Sequence, residues 1–219
     1  MRTLVFDGRT GAAGDMICAA LIAAGADPAV LAPVSKRLPV RYEVGETTRN
    51  GIRATTVDVL LDGPRDDIEP SKGHDDHDHD DHGHGHDHDD HGHDHDHGHD
   101  HDHDHAEGAG VTRSYSEVVA LVESMDLSGS VESTALDAFE RLGRAEASVH
   151  GTDLHETHFH EVGADDAIAD VVGAALLLDD LDPHRVVTTP VAAGRGEVAM
   201  THGVYPVPTP ATAEIAAQA

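Results

Sequence analysis

The chain opens with Thr3-Leu4-Val5-Phe6-Asp7-Gly8-Arg9-Thr10-Gly11-Ala12-Ala13-Gly14-Asp15-Met16, the stretch that indicates its fold class. The first four residues have the composition of a strand, and the glycines after them favour a turn. Residues 13–24 are rich in helix formers. Because strand, glycine loop and helix in this order are typical of α/β proteins, we predict an α/β or α+β fold with a mixed sheet flanked by helices.

The residues up to position 63 contain two further signals. Asp27-Pro28 has the order of an N-cap and a first helical residue, which predicts a second helix to about residue 37. Asn50-Gly51 is typical of a tight hairpin turn. We therefore predict an antiparallel pair formed by residues 40–46 and 52–61.

Regular structure is predicted again from Ser114 onward. Ser114 and Glu117 have the spacing of a capping box, and the apolar residues that follow recur near the helical period of 3.6. We predict helices over residues 114–125, 128–149 and 163–181, and a last helix from Pro210. We predict extended segments over residues 155–162, 186–192 and 197–201, the last as the partner of the second.

Between about residues 66 and 110 the chain consists mainly of His, Asp and Gly. A segment with almost no apolar side chains cannot bury enough surface to offset the conformational entropy that it would lose on folding. We therefore predict three parts. Residues 1–63 and 111–219 form the two halves of one core, and residues 64–110 form a disordered, metal-binding insertion between them.

The chain is strongly acidic. Fourteen basic and 42 acidic residues give a formal net charge of −28, which argues against binding to nucleic acid or to an anionic membrane surface. No apolar stretch approaches the roughly 20 residues that span a bilayer, and Asp7 interrupts the first apolar run too early for a secretory signal. Since Cys18 is the single cysteine, we expect a protein of the reducing cytoplasm. The excess of acidic residues indicates a high-salt habitat.

A histidine-rich run is the first candidate metal-binding segment. Residues 74–105 hold 15 His, 13 Asp and 4 Gly. Imidazole binds nickel, zinc, copper and cobalt, and a flexible chain can wrap any of them without preset geometry. The run is therefore a candidate store or delivery arm, and the alternative is a solvated spacer that binds metal incidentally. The candidate ligands are His74, His77, His79, His82, His84, His86, His88, His91, His93, His95, His97, His99, His101, His103 and His105.

A second candidate metal site is the run His158-Phe159-His160-Glu161. In an extended chain His158 and His160 point to the same side, so two imidazoles could bind one ion, with Glu161 as a further candidate ligand. Asp166 and Asp170 follow at i and i+4 on the predicted helix, where two like charges are unfavourable unless a cation lies between them. The alternative is structural, because acids also interact with a helix N-terminal dipole and a histidine can be a satisfied core residue.

The glycine loop after the first strand is a candidate phosphate site. Gly11 and Gly14 permit close approach of the backbone, and the N–H groups at a helix start attract anions. Arg9 could add a cation. Asp7 and Asp15 would repel a bare phosphate, so they are better explained as ligands of a metal that bridges to it. A plain helix cap explains the same residues, and no lysine follows in the pattern of a P-loop.

The last candidate segment combines Gly194-Arg195-Gly196 with a proline-rich stretch from His202 to Pro210. Gly194 and Gly196 could line a ligand pocket, and His202 is a candidate metal ligand or proton carrier. The alternative is a stiff structural connector, which explains the prolines equally well.

Together these motifs resemble the LarC family of nickel insertion proteins. The resemblance rests on residues 7–16, on His158 to Ala164 followed by Asp166, Ala167, Ile168 and Asp170, and on Gly194, Gly196, His202-Gly203, Pro206-Val207-Pro208 and Pro210-Ala211. It implies that nickel is placed in pyridinium-3,5-bisthiocarboxylic acid mononucleotide, which gives the nickel-pincer nucleotide of lactate racemase and its relatives. Members of the family often have a His-rich insertion at this position.

The resemblance further implies an enzyme, a nickel chelatase of the lyase class. The reaction would be coupled to hydrolysis of CTP with a divalent ion, Mn or Mg. The family continues beyond this length into a C-terminal region to which CTP binding is attributed. We therefore expect a separate C-terminal polypeptide as one partner, and a lactate racemase-type apoenzyme as another; the alternative is that the chain is a truncated, inactive remnant. The family often has Cys in place of Gly8 and an apolar residue in place of Asp165.

The candidate residues can be assigned to two groups on this interpretation. The catalytic group is Asp7, Asp15, Asp166, Asp170 and His202, and the group that holds the nucleotide is Arg9, Gly11, Gly14, Gly194 and Gly196. A function of a different class is a non-enzymatic store of nickel or another divalent metal, or a metallochaperone, in which the folded halves only anchor the His-rich run.

Overall fold

The computed structural model describes residues 2–61, 111–159, 162–200 and 203–218. The predicted insertion over residues 64–110, with all its candidate ligands, lies outside the described residues. So do His160, Glu161 and His202. Among the described residues, no helix is both long enough and apolar enough to cross a membrane.

A short parallel strand pair joins the start of the chain to a segment after α5. Strand β1 (Thr3–Phe6) pairs with β6 (Arg185–Thr188), from Thr3 opposite Arg185 to Phe6 opposite Thr188. Helix α1 (Gly14–Ala23) follows β1 after the glycine loop, which confirms the predicted order of strand, loop and helix. A parallel pair brings both carboxyl ends to the same edge, so Asp7 and Thr189 become neighbours.

The predicted hairpin is confirmed and is longer than expected. Strands β2 (Val40–Arg49) and β3 (Ile52–Leu61) are antiparallel, with Val40 opposite Leu61 and Arg49 opposite Ile52. Asn50 and Gly51 have φ values of 51° and 78°. Both angles lie in the left-handed region that a two-residue turn of this kind requires.

The helix predicted from Asp27-Pro28 is divided. The Asp27 side chain accepts a hydrogen bond from the Ala29 N–H, and a 3₁₀ turn (Pro28–Leu31) leads into α2 (Ala32–Arg37). Pro33 lacks the N–H that an uninterrupted α-helix would donate to the Ala29 carbonyl. The Ala32 N–H bonds that carbonyl instead, in the tighter 3₁₀ pattern.

The first part of the second half follows its capping signals. Strand β4 (Arg113–Ser114) leads into α3 (Tyr115–Glu123), and the predicted capping box between Ser114 and Glu117 is present with both of its hydrogen bonds. Helix α4 (Gly129–His150) confirms the predicted long helix. A 3₁₀ turn (Leu154–Glu156) and strand β5 (His158–Phe159) then follow, and β5 pairs antiparallel with β4.

The pairing predicted for residues 197–201 was wrong. Strand β7 (Glu197–Met200) pairs antiparallel with β8 (Gly203–Pro206) and not with β6. The chain returns to form β8 within a few residues, whereas β6 already has β1 as its partner. The α/β class is confirmed, with parallel and antiparallel pairing, but the described strands form four separate pairs rather than one continuous mixed sheet.

Helix α5 (Asp165–Leu181) lies in the centre of the core. Its Ile168 and Val172 belong to one apolar cluster, with Phe139 of α4 and Phe159 of β5. Its Leu177 and Leu181 belong to a second cluster, with α1. Helix α6 (Pro210–Ala216), predicted from Pro210, packs on α4. Because α5 contributes to both clusters, it fixes the position of α1 relative to α4.

We expect Phe139→Ala to destabilise the fold by about 3–5 kcal/mol, because it removes a fully buried ring and leaves a cavity. The Phe139 ring lies 6.4 Å from that of Phe159, centroid to centroid. Urea unfolding followed by circular dichroism measures the change. The control is Arg141→Ala on the exposed face of α4, for which we expect less than about 0.5 kcal/mol. Equal unfolding midpoints for the two variants would contradict this assignment of the core.

Candidate functional site

The loops after β1 and β6 are tied together at the carboxyl ends of the two strands. The Gly8 N–H donates to Thr189 Oγ1 at 3.0 Å, and the Ala192 N–H donates to the Gly8 carbonyl at 2.8 Å. Gly8 also packs on Val191, whose Cγ2 would lie 3.0 Å from a Cβ at position 8. Thr189 was not singled out in the sequence, because its role depends on strand pairing between residues about 180 positions apart.

Asp7 and Arg9 bind each other in the first part of this loop. Arg9 Nε donates to Asp7 Oδ1 at 2.7 Å, and Arg9 Nη2 lies 2.5 Å from Asp7 Oδ2. This hydrogen-bonded guanidinium lowers the pKa of Asp7 below its usual range. Both side chains are exposed, so a phosphate or a metal ion would have direct access to the pair. Either ligand would have to compete with the bond between them.

Gly11 and Gly14 have separate roles in the same loop. The Gly11 N–H closes a turn onto the Gly8 carbonyl at 3.1 Å. Gly14 is the first residue of α1 and contacts the side chain of Asp170 directly, because a Cβ at position 14 would lie only 2.5 Å from Asp170 Cγ. A real Cβ cannot approach that closely, so this contact requires glycine.

The contact at Gly14 brings together two of the predicted motifs. Asp170 lies on the second turn of α5, and its carboxyl group contacts Gly14, the first residue of α1, which precedes Asp15 in the chain. The carboxyl groups of Asp170 and Asp15 both raise the pKa of Cys18, after the larger effect of burial. Two of the predicted catalytic acids, which come from segments more than 150 residues apart, therefore both lie close enough to Cys18 to raise its pKa.

A cavity of about 280 Å³ opens beside this contact, between β1, α1, α4 and α5. Its walls are mainly apolar, and Gly14 and Asp170 belong to its lining. The apolar side chains that line it include Phe6, Ile17, Leu21, Val171 and Leu178. Asp170 thus places a carboxyl group in the wall of a mainly apolar space.

Two polar side chains, the partly buried Tyr42 and the fully buried Cys18, hold the first part of α5 against its neighbours. The Tyr42 hydroxyl of β2 donates to the Ala169 carbonyl at 2.6 Å. The Cys18 thiol lies 3.7 Å from the Asp170 carbonyl oxygen and is fully buried in the core. Burial raises the pKa of Cys18 to about 12. Such a thiol stays protonated near neutral pH and is a poor metal ligand.

The predicted histidine and acid cluster is described only in part. His158 is exposed on β5, opposite Ser114 of β4. Asp166 and Asp170 lie on α5, and the Oδ1 atom of each is buried. Within residues 2–61, 111–159, 162–200 and 203–218, no three His, Cys, Asp or Glu side chains are arranged to hold a metal ion. Since His160 and Glu161 lie outside these ranges, the metal site stays a prediction.

An arginine that the sequence did not reveal lies next to this cluster. Arg113 Nη2 is 2.7 Å from Asp165 Oδ1, and Arg113 Nη1 donates to the Gly163 carbonyl at 2.8 Å. The side chains of Arg113 and Asp165 are only 17% and 7% exposed. No local pattern marks Arg113, because its partners lie about 50 residues further along the chain.

The two motifs of the last candidate segment meet in the structure. The Val207 N–H donates to the Gly196 carbonyl at 2.9 Å. Gly194 packs on the Val207 side chain, whose Cγ1 would lie 2.7 Å from a Cβ at position 194. His202 lies outside the described residues, so its predicted role stays a prediction.

Comparison with known proteins identifies the family. A family described as nickel insertion protein matches residues 4–219. The chain belongs to the nickel insertion protein family. Proteins named pyridinium-3,5-bisthiocarboxylic acid mononucleotide nickel insertion protein are similar to it over 98–99% of its length. That of Akkermansia muciniphila is 38% identical, that of Clostridium kluyveri 36%, and that of Geobacillus kaustophilus 32%.

The chain spans less than half the length of these relatives. It covers 45% of the Akkermansia muciniphila protein, 47% of the Clostridium kluyveri protein and 44% of the Geobacillus kaustophilus protein. No solved structure matches the chain.

We expect Gly14→Ala to weaken both the fold and any function of this site, because the added methyl group would overlap the Asp170 carboxyl group. Overpacking of this kind costs about 1–3 kcal/mol, which thermal or urea unfolding can measure. Gly129→Ala is the matched control, since Gly129 is also the first residue of a helix and a Cβ there would meet nothing within 4 Å. Equal destabilisation by both substitutions would refute the close contact.

The buried thiol predicts a pH-dependent contribution to stability. The pKa of Cys18 is raised in the folded chain, so its contribution is fully present below about pH 9 and is lost as the pH rises toward about 12. We expect the difference in unfolding free energy between the wild type and Cys18→Ala to fall by about 1.4 kcal/mol per pH unit above about pH 9. A difference that stays constant up to about pH 10.5 would show that the thiol is not buried as described.

Proposed function

We propose that this chain takes part in inserting nickel into pyridinium-3,5-bisthiocarboxylic acid mononucleotide, which gives the nickel-pincer nucleotide used by lactate racemase-type enzymes. The proposal transfers to this chain the activity for which its relatives are named. The observation that supports it most directly is the contact of Asp170 with Gly14. It joins the predicted metal-binding motif to the predicted phosphate-binding loop.

We assign successive steps of nickel handling to different parts of the chain. The histidines of residues 74–105 gather the ion. His158, His160, Glu161, Asp166 and Asp170 then form the site from which nickel passes to the nucleotide. Nickel binds both imidazole nitrogen and sulfur, so transfer from histidine to a thiocarboxylate is chemically reasonable. Because imidazole and carboxylate ligands must be deprotonated to bind nickel, this transfer is favoured near neutral pH.

The loop after β1 would hold the nucleotide at its phosphate. Arg9 and the N–H groups at the start of α1 supply positive character, while Asp7 and Asp15 bind a divalent ion that bridges to the phosphate. Gly194 and Gly196 line the approach, and His202 carries a proton. The supporting geometry is the hydrogen-bonded link between this loop and residues 189–192.

We further propose that energy for the reaction comes from CTP with Mn or Mg. The relatives are more than twice as long as this chain, so we assign CTP binding to the part of the family that the chain does not span. That part would act together with this chain, and a lactate racemase-type apoenzyme would receive the finished cofactor. We propose the cytoplasm as the compartment, because a thiocarboxylate and a free thiol both favour reducing conditions.

A single-turnover transfer experiment tests the proposal. The chain is loaded with nickel and mixed with the nucleotide, CTP and Mn, and the nickel adduct is measured by mass spectrometry. The mixture is tested with and without a polypeptide covering the rest of the Akkermansia muciniphila relative. We expect Asp170→Asn to slow transfer about 10- to 100-fold. Asp137→Asn, the same change at an exposed position of α4, should leave the rate unchanged.

Two outcomes would contradict different parts of this proposal. If Asp170→Asn and Asp137→Asn transfer nickel at the same rate, the assigned site is wrong. If the wild-type chain transfers no nickel even with the added polypeptide, the assigned function is wrong.

The high density of histidine favours one alternative, a metal store without catalysis. Deletion of residues 74–105 separates the two functions. An insertion protein should still transfer nickel when the ion is supplied in excess, because its transfer site lies elsewhere. A store should lose nearly all its metal capacity and transfer nothing.

A further inference from the structure

Arg113 makes three contacts with residues that flank the predicted nickel ligands His158, Asp166 and Asp170. Its backbone lies opposite Phe159 in the β4–β5 pair. Its guanidinium reaches past that strand to the Gly163 carbonyl and to the Asp165 carboxylate. One residue thus contacts both strand β5 and the start of α5.

The backbone at Gly163 packs closely on both strands and leaves no space for a side chain. A Cβ at position 163 would lie 3.0 Å from the backbone nitrogen of Arg113, and equally close to the Cβ and the carbonyl oxygen of Phe159. On the other side, the Tyr115 N–H donates to the Thr157 carbonyl at 2.9 Å and extends the pairing of the two strands. The segment that carries His158 is therefore fixed from both sides.

Stability alone does not explain this ion pair. Removing two charges from water costs about as much as their attraction returns, so well-packed apolar side chains in the same place are often equally stable or more stable. What an arginine adds is direction, because its planar group has donors at fixed angles and can bond two acceptors at once. The geometry at Arg113 uses this property, with one nitrogen on a carbonyl and another on a carboxylate.

We propose that Arg113 is a positioning residue for nickel transfer. It holds the strand that carries His158 in a fixed relation to the start of α5, which carries Asp166 and Asp170. It also binds Asp165 and so keeps that carboxylate from competing for the ion. This inference rests on the proposed function of the site.

The double variant Arg113→Met with Asp165→Leu tests the inference in the full-length chain. It replaces the ion pair by apolar groups, so we expect an unfolding midpoint equal to or above that of the wild type. Single-turnover nickel transfer should nevertheless slow about 10- to 100-fold, with the nucleotide concentration at half-maximal rate unchanged. A merely structural role would not produce this split between rate and half-saturation.

A matched control is available on α4. Arg144 and Glu140 form an exposed ion pair at 2.5 Å, and Arg144→Met with Glu140→Leu should leave the transfer rate at the wild-type value. Arg113→Lys keeps the positive charge but cannot bond two acceptors at fixed angles, so this variant should transfer nickel more slowly than the wild type. Wild-type transfer by the Arg113→Met, Asp165→Leu variant would overturn the inference.

Hydrogen exchange separates failure of this inference from failure of the proposed function. The Ile168 N–H bonds the Ala164 carbonyl in the first turn of α5. We expect its exchange to accelerate in the double variant, whereas buried amides in the middle of α4 keep their rates. If the wild type transfers no nickel, the proposed function fails, and unchanged exchange at Ile168 would then overturn the positioning role as well.

Discussion

The close contact between α1 and α5 at Gly14 and Asp170 is the constraint on which the candidate site depends. It joins a helix from the first part of the chain to a helix from the last part, with no room for a side chain between them. The acid of one helix consequently lies at the N-terminus of the other, where the backbone N–H groups favour negative charge. Burial of α5 in both apolar clusters keeps this arrangement rigid.

Local structure was predictable because its signals are local. The capping box at Ser114 and Glu117 involves residues three positions apart, and the turn at Asn50-Gly51 needs two residues that tolerate left-handed angles. Strand partners were not predictable in the same way. Residues 186–192 and 197–201 both read as strands, but the choice of β1 as the partner of β6 depends on packing between the two ends of the chain. A β-branched run indicates a strand without indicating its neighbour.

The residues of the candidate site also divide into those that a local sequence pattern reveals and those that depend on distant partners. Clustered acids and glycines could be found in the sequence, because residues such as Asp166 and Asp170 stand out by their spacing alone. Arg113, Thr189 and Tyr42 could not, since each acts through a partner at least 50 residues away. The bond between Asp7 and Arg9 falls between these cases. The two residues are close enough in sequence to suggest an ion pair, but only the turn of the loop brings their side chains into contact.

The bond between Asp7 and Arg9 would also couple two kinds of ligand, if a phosphate binds the guanidinium and a metal ion binds the carboxylate as proposed. A phosphate that draws the guanidinium away leaves the carboxylate uncompensated, and a metal ion that takes the carboxylate sets the guanidinium free. Each event therefore lowers the free-energy cost of the other, and by thermodynamic linkage the effect is equal in both directions. Such a loop would bind an anion or a cation alone weakly and would bind the two together more tightly.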